Sequence, residues 1–245
     1  MKNLIYMKNA TILVLALMVS QLSFAQDGEF RFGLKGAANI GWINPISKGL
    51  ENNGVRLGFS YGIMGDYYFQ PNYAVSGELL ISQINGSLNL LDPQTFEADT
   101  NVSVSDANYK YNMQYLELPV SIKFRTKEIG NLTYWGNFGF APSFLLNARA
   151  SIKGTLPQAL VDLDPTDYRV NNNEGDDFTS RDFDDRVSIV RFPLIIGGGV
   201  EYGMAGNSSL YAGIRFNNSF TEMFIRDKKI DARNNFVSLN VGIFF

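Results

Sequence analysis

The chain reads as all-β, an eight-stranded antiparallel up-and-down transmembrane β-barrel with N- and C-termini in the periplasm, and three observations predict it. Residues 55–70 alternate at every position: Val55, Leu57, Phe59, Tyr61, Ile63, Tyr67 and Phe69 against Arg56, Gly58, Ser60, Gly62, Met64, Asp66, Tyr68 and Gln70. Period two puts one face of a strand in an apolar medium and the other in a polar space. The run is also too long for a soluble sheet, whose strands are usually about 5–6 residues, and suits a tilted membrane-crossing strand of about 9–11. Finally, connections alternate short and long along the chain, as in barrels with tight periplasmic turns and larger outer loops.

Residues 1–25 lie ahead of the barrel. Lys2 and Lys8 precede the short apolar core Thr11–Ser20, and Ser23-Phe24-Ala25 places small residues at −3 and −1 before Gln26. This pattern predicts a signal peptide cleaved after Ala25, because a spanning helix needs about 20 apolar residues. The expected mature domain is 26–245, with 19 basic against 24 acidic residues.

The strands follow in order. Phe32, Leu34, Ala38, Ile40 and Trp42 share the apolar face of the first, and 55–70 is the second. Tyr73, Val75, Leu79 and Ile81 mark the third; Leu116, Leu118, Val120, Ile122 and Phe124 the fourth. Tyr134, Phe138, Phe140, Phe144 and Leu146 share the fifth, and Val190, Phe192, Leu194, Ile196, Val200 and Tyr202 the sixth. Leu210, Ala212, Ile214 and Phe216 define the seventh; Val237, Leu239, Val241, Ile243 and Phe245 the eighth. The short connections are 70–72, 125–131 and 205–207; the long ones are 42–54, 86–108, 150–186 and 221–234. Tyr67, Phe69, Tyr134, Trp135, Tyr202 and Phe245 are expected at the periplasmic rim, and Trp42, Tyr109, Tyr111 and Phe220 at the outer one, as aromatic girdles. A soluble lipocalin-like barrel would also alternate, with shorter strands and its apolar residues facing inward.

The lumen face carries Arg31, Lys35, Arg56, Asp66, Glu78, Glu117, Lys123, Arg191, Glu201 and Arg215. An eight-stranded barrel is just wide enough to be filled by its own side chains, so these charges are expected to pair into a plug. Glu117, with Lys123 on the same strand, and Glu78 and Glu201 on others are candidates for ring-like pairing with the arginines. Pro119 lacks a ladder donor and is read as a bulge that shifts the phase between the tyrosines 109–115 and the leucines that follow. Gly197-Gly198-Gly199 matches no phosphate-loop spacing and predicts close packing under a bulky lumen side chain.

Residues 162–185 hold nine acids against Arg169 and Arg181. An acidic external loop, about 150–186, is therefore expected, solvated and open to protein docking. Asp162, Asp164, Asp176 and Asp177 are weak calcium candidates, since their spacing does not follow the EF-hand.

Composition removes most activities. With no cysteine and no histidine there is no thiol nucleophile, imidazole base or His-ligated metal. The net charge of −3 argues against nucleic-acid binding.

The segment Tyr115-Leu116-Glu117-Leu118-Pro119-Val120-Ser121-Ile122-Lys123-Phe124 resembles the Y-L-E-x-P-x-x-x-K strand of small Gram-negative outer-membrane barrels, the PorT-like or "outer membrane β-barrel domain" proteins. Phe32-Gly33-Leu34-Lys35-Gly36-Ala37-Ala38-Asn39 resembles their first strand, and the Gly-rich sixth strand and terminal Phe245 fit as well. The resemblance implies an outer-membrane protein, delivered to the barrel-assembly machinery through Phe245; some relatives are associated with type IX secretion. The expected role is non-catalytic, structural or interactive, without cofactor, with outer-membrane lipid and an envelope protein met by the external loops as partners. A narrow small-solute or ion porin is the alternative, and a lipid-modifying enzyme the lesser one, since such barrels rely on a histidine.

Overall fold

The computed structural model describes residues 28–47, 50–90, 94–95, 103–104, 107–153, 168–169, 178–180, 187–204, 206, 208–224 and 232–245. The leader and the calcium candidates Asp162, Asp164, Asp176 and Asp177 lie outside the described residues.

Eight long strands form the wall: β1 (Glu29–Pro45), β2 (Arg56–Gln70), β3 (Tyr73–Leu90), β4 (Ala107–Glu117 continued by Val120–Arg125), β5 (Leu132–Phe140 continued by Ser143–Lys153), β6 (Val190–Arg191 continued by Pro193–Gly203), β7 (Ser209–Ser219) and β8 (Ala232–Phe244). Each pairs antiparallel with its neighbours in sequence, and β8 returns to β1 from Gly33↔Phe244 to Pro45↔Ala232, closing an up-and-down barrel. The apolar residues face outward: Leu57, Phe59, Ile63, Val120, Ile214 and Val241 are all more than half exposed. That excludes the soluble barrel, in which the same residues would fill the core.

Turns 71–72, 126–131 and 204–208 sit at one end, with Gly130 and Gly206 at positive φ of 67° and 79°. The expected loops at the other end are partly strand. β1 runs to Pro45, and Leu50–Asn52 pairs with the top of β3, so most of 42–54 belongs to the wall. β3, β4 and β5 extend together at this end, level with the ends of β1 and β8, and Phe178–Ser180, inside the expected loop 150–186, adds to the edge of β5.

Pro119 does not insert a residue. Leu80 pairs with Glu117 and Gly77 with Val120, an equal step on both strands, so the register is unchanged across it. The irregularities lie at Tyr68/Gln70 in β2 and Leu145/Asn147 in β5. Instead, Pro119 and Pro193 both lie level with Ala141 on β5, and Pro142 is one residue away, opposite Leu118. There Glu78 donates to the Pro119 carbonyl at 2.9 Å, Leu118 to Pro142 at 2.8 Å and Ala141 to Pro193 at 2.9 Å. No proline can return the bond, so three consecutive seams each lose one ladder bond within one residue of the same height. The Ser143 hydroxyl donates to the Ala141 carbonyl at 2.7 Å, serving one of the three.

With no shift at Pro119, the odd positions of β4 face inward throughout. Tyr111, Met113 and Tyr115 are therefore buried inside, together with Glu117, Ser121 and Lys123. Polarity thus reverses along the barrel axis. Below the row Gln83–Gln114–Asn147, aligned across β3, β4 and β5, the outside is apolar and the inside polar. Above it β4 and β5 turn Asn112, Lys110 and Arg149 outward, while Asn85 and Ser87 on β3 are buried, with Asn85 donating to the Leu57 carbonyl at 2.6 Å. The inside there holds Ile43, Ile84, Leu88, Tyr111, Met113 and Phe236, a hydrophobic core that Tyr115 joins from just below the row.

Candidate functional site

The inward side chains fill the lumen in layers. Nearest the short turns, Lys123 Nζ lies 2.5 Å from Asp66 Oδ2 and 2.5 Å from Glu201 Oε1, and Arg31 NH1 reaches Glu201 Oε2 at 3.0 Å. Lys123 and Asp66 are 2% and 0% exposed. Four strands converge here, since β1, β2, β4 and β6 each contribute one inward charge. The Lys123 ammonium also faces the rings of Phe244, Tyr211 and Trp135, 4.7, 5.5 and 5.6 Å from their centroids, where the ring faces attract a cation. Trp135 stacks on Tyr211 at 4.7 Å. A Cβ on Gly213 would stand 2.3 Å from Trp135 Cζ2, and one on Gly199 2.8 Å from the same atom. The glycines of β6 and β7 thus make room for the indole.

One layer up, Glu78 accepts from Lys35 at 2.8 Å and is gripped by both terminal nitrogens of Arg215, NH1 at 2.9 Å. Two cations share one carboxylate. Above that, Glu117 accepts from Ser82 at 2.5 Å and Ser143 at 3.2 Å, with Arg191 NH1 at 3.6 Å. Buried carboxylates with several donors are held in one geometry by the network. The apolar core closes the lumen over this layer, where Val187 bridges to Phe224, and Met223 accepts from Ser188 and donates to Ala232.

Of the expected lumen residues, Arg31, Lys35, Asp66, Glu78, Glu117, Lys123, Arg191, Glu201 and Arg215 come together inside the wall. Arg56 does not: half-buried at the start of β2, it makes no ion pair among the described residues. Glu117, Glu78 and Glu201 each meet an arginine, Arg191, Arg215 and Arg31, while Lys123, six residues further down β4 from Glu117, is level with Asp66 and Glu201. The girdle at the short-turn end holds Phe69, Tyr73, Phe124, Tyr134, Tyr202 and Phe245, with Phe69 stacked on Tyr73 and Phe32 tilted against Phe245 at 5.5 Å. Trp135 is not part of it. At the other rim Phe220 is exposed and Trp42 stacks on Phe216, while Tyr111 is inside and Tyr109 packs against the inner core. Both misplaced tyrosines lie above the reversal of polarity, where the aromatic face turns inward.

A family model described as "Outer membrane protein beta-barrel domain" matches residues 24–225. No curated protein matches the chain. Among solved structures it is similar to Neisserial surface protein A, at 14% identity and a TM-score of 0.43, covering 89% of this chain and 98% of that one. The outer membrane protein OprG from Pseudomonas aeruginosa is similar at 9% identity and a TM-score of 0.44, covering 88% and 95%. Ail, the attachment invasion locus protein of Yersinia pestis, is similar at 13% identity and a TM-score of 0.37, covering 89% and 99%.

Proposed function

The chain belongs to the outer membrane protein beta-barrel domain family and is an outer-membrane β-barrel protein, and from that premise we propose a closed, non-catalytic barrel that acts through its surfaces. The observation behind this is the filled lumen, with paired charges in three layers sealed above by an apolar core. An eight-stranded wall leaves little room beyond such side chains. The three tight turns at one end support an orientation with both termini periplasmic and the opposite end outside. In that orientation the polar face of Gln114, Asn112, Lys110 and Arg149 and the acidic loop meet an envelope or external protein partner. Phe245, outward-facing on the closing strand, is the handle for the barrel-assembly machinery. Absence of histidine and cysteine supports a role without catalysis. A role accessory to protein secretion has only the resemblance of residues 115–124 behind it and is not part of the proposal.

Planar-bilayer recording of the purified protein tests it against the narrow-porin reading. A silent bilayer is the expected result, and steady, large single-channel steps would overturn the plugged lumen. Unchanged lipid A mass spectra on deletion and overexpression are expected, and a gained or lost acyl chain would restore the enzyme reading.

A further inference from the structure

Where β6, β7 and β8 meet at the top of the charged layers, buried donors outnumber acceptors. Arg191, Asn217 and Asn234 are each 2% exposed and Arg215 is 3% exposed. Arg191 Nε and NH1, Arg215 Nε, Asn217 Nδ2 and Asn234 Nδ2 have no hydrogen-bond partner among the described residues, and of these side chains' acceptors only Asn234 Oδ1 is left in the same state. The register brings them together. Asn217 lies opposite Ile195 on β6 and Phe236 on β8. The Arg191 guanidinium sits 5.6 Å from the same Phe236 ring, and its NH2 donates to the Asn234 carbonyl at 2.9 Å. Arg215 is one inward step below Asn217 on β7.

Charge points the same way. Arg191, Arg215 and Lys35 face only Glu78 and Glu117 in these two layers, leaving one positive charge in excess. Glu117, beside Arg191 NH1 at 3.6 Å, is already served by Ser82 and Ser143. An unserved buried donor costs about 1–3 kcal/mol, and such a cluster asks for a ligand. Water would bring two donors of its own into a place already rich in them; an anion only accepts. Phe236, whose ring faces the Arg191 guanidinium, belongs to the apolar core with Val187, Met223 and Ala232, and such neighbours suit a small ion.

We propose that Arg191, Asn217 and Asn234, with Arg215 beneath them, form a buried site for a small anion of halide size that is held as a structural ligand of the barrel. It neutralises the surplus charge of the upper lumen and ties β6, β7 and β8 together under the apolar core.

The test uses the full chain purified in detergent micelles. Melting is compared in sodium chloride and sodium gluconate at equal ionic strength and pH, gluconate being too large to enter. Binding to the folded state alone raises stability with ligand concentration, so melting should rise by a few degrees in chloride and climb with its concentration. Asn217→Asp supplies a fixed carboxylate and should abolish the difference between the salts. Crystals grown in bromide should show an anomalous peak within hydrogen-bond distance of Arg191 Nε, which decides the matter even where the variant fails to fold. Ordered water without a bromide peak would overturn the site. A peak with equal melting in both salts, binding at crystal concentration only, would overturn its structural role.

Discussion

The lower and upper halves of this barrel are built on opposite principles. Below the row Gln83–Gln114–Asn147, the wall is apolar outside and its interior is a network of ion pairs. Above it, β4 and β5 turn Asn112, Lys110 and Arg149 outward, and the interior is Ile84, Leu88, Met113 and Phe236. The lower half is organised for lipid, where outward side chains gain nothing by turning in and the polar ones must satisfy each other inside. The upper half is organised for water, like any soluble sheet with a buried face. The same three strands obey both rules, with the exchange at the row Gln83–Gln114–Asn147.

Six substitutions probe that contrast. Lys123→Ala strands Asp66 and Glu201 in the lumen, Asp66 without its cation; removing one partner of a buried pair costs about 3–5 kcal/mol. A large fall in the unfolding midpoint in micelles is expected, and a small one would mean the lower half does not depend on its ion pairs. Met113→Ala, in the upper core at 0% exposure, should cost about 2–5 kcal/mol through lost burial and a cavity, read from the same midpoint. Ile214→Arg, outward and 56% exposed in the apolar belt, should cost about 2–4 kcal/mol when folding is measured in bilayers, whereas Asn112→Arg above the boundary should stay within about 0.5 kcal/mol. Equal penalties at the two sites would erase the boundary. Gly213→Ala pushes a methyl into Trp135 and should cost about 1–3 kcal/mol, with a shift in tryptophan fluorescence as the signature. Pro119→Val restores one ladder donor to the β3–β4 seam, with a change within about 1 kcal/mol and one extra protected amide in hydrogen exchange.

The strand count, the order of strands and the outward face below the boundary were legible because alternation is a local property of the chain. The upper half of β4 was legible too, but through the other phase: Lys110, Asn112 and Gln114 are all polar, which is what an outward face in water looks like. Reading Tyr109 and Tyr111 as a girdle assumed one polarity rule from end to end. Trp135 shares its phase with Asn137 and Ser143 and was inward by that alone. Pro119 announced an interruption, but the sequence does not say whether a ladder is broken or bulged; that depends on whether its neighbours advance by the same number of residues. The partners of each lumen charge were beyond reach for a related reason. Glu117 meets Arg191 and not Lys123 because strand tilt sets which residues share a height, and tilt follows from closing the whole ring.

The thirteen residue pairs joining β1 to β8, Gly33↔Phe244 to Pro45↔Ala232, carry a kinetic consequence. The first strand to leave the ribosome can complete its pairing only with the last. Contacts so distant along the chain charge their loop-closure entropy before they return any energy, and make for slow folding. Throughout synthesis and transit, β1 therefore carries an open edge with alternate apolar residues, a template for pairing with another chain. Such a molecule needs an escort until its final strand arrives, and the escort's release must wait for the last dozen residues.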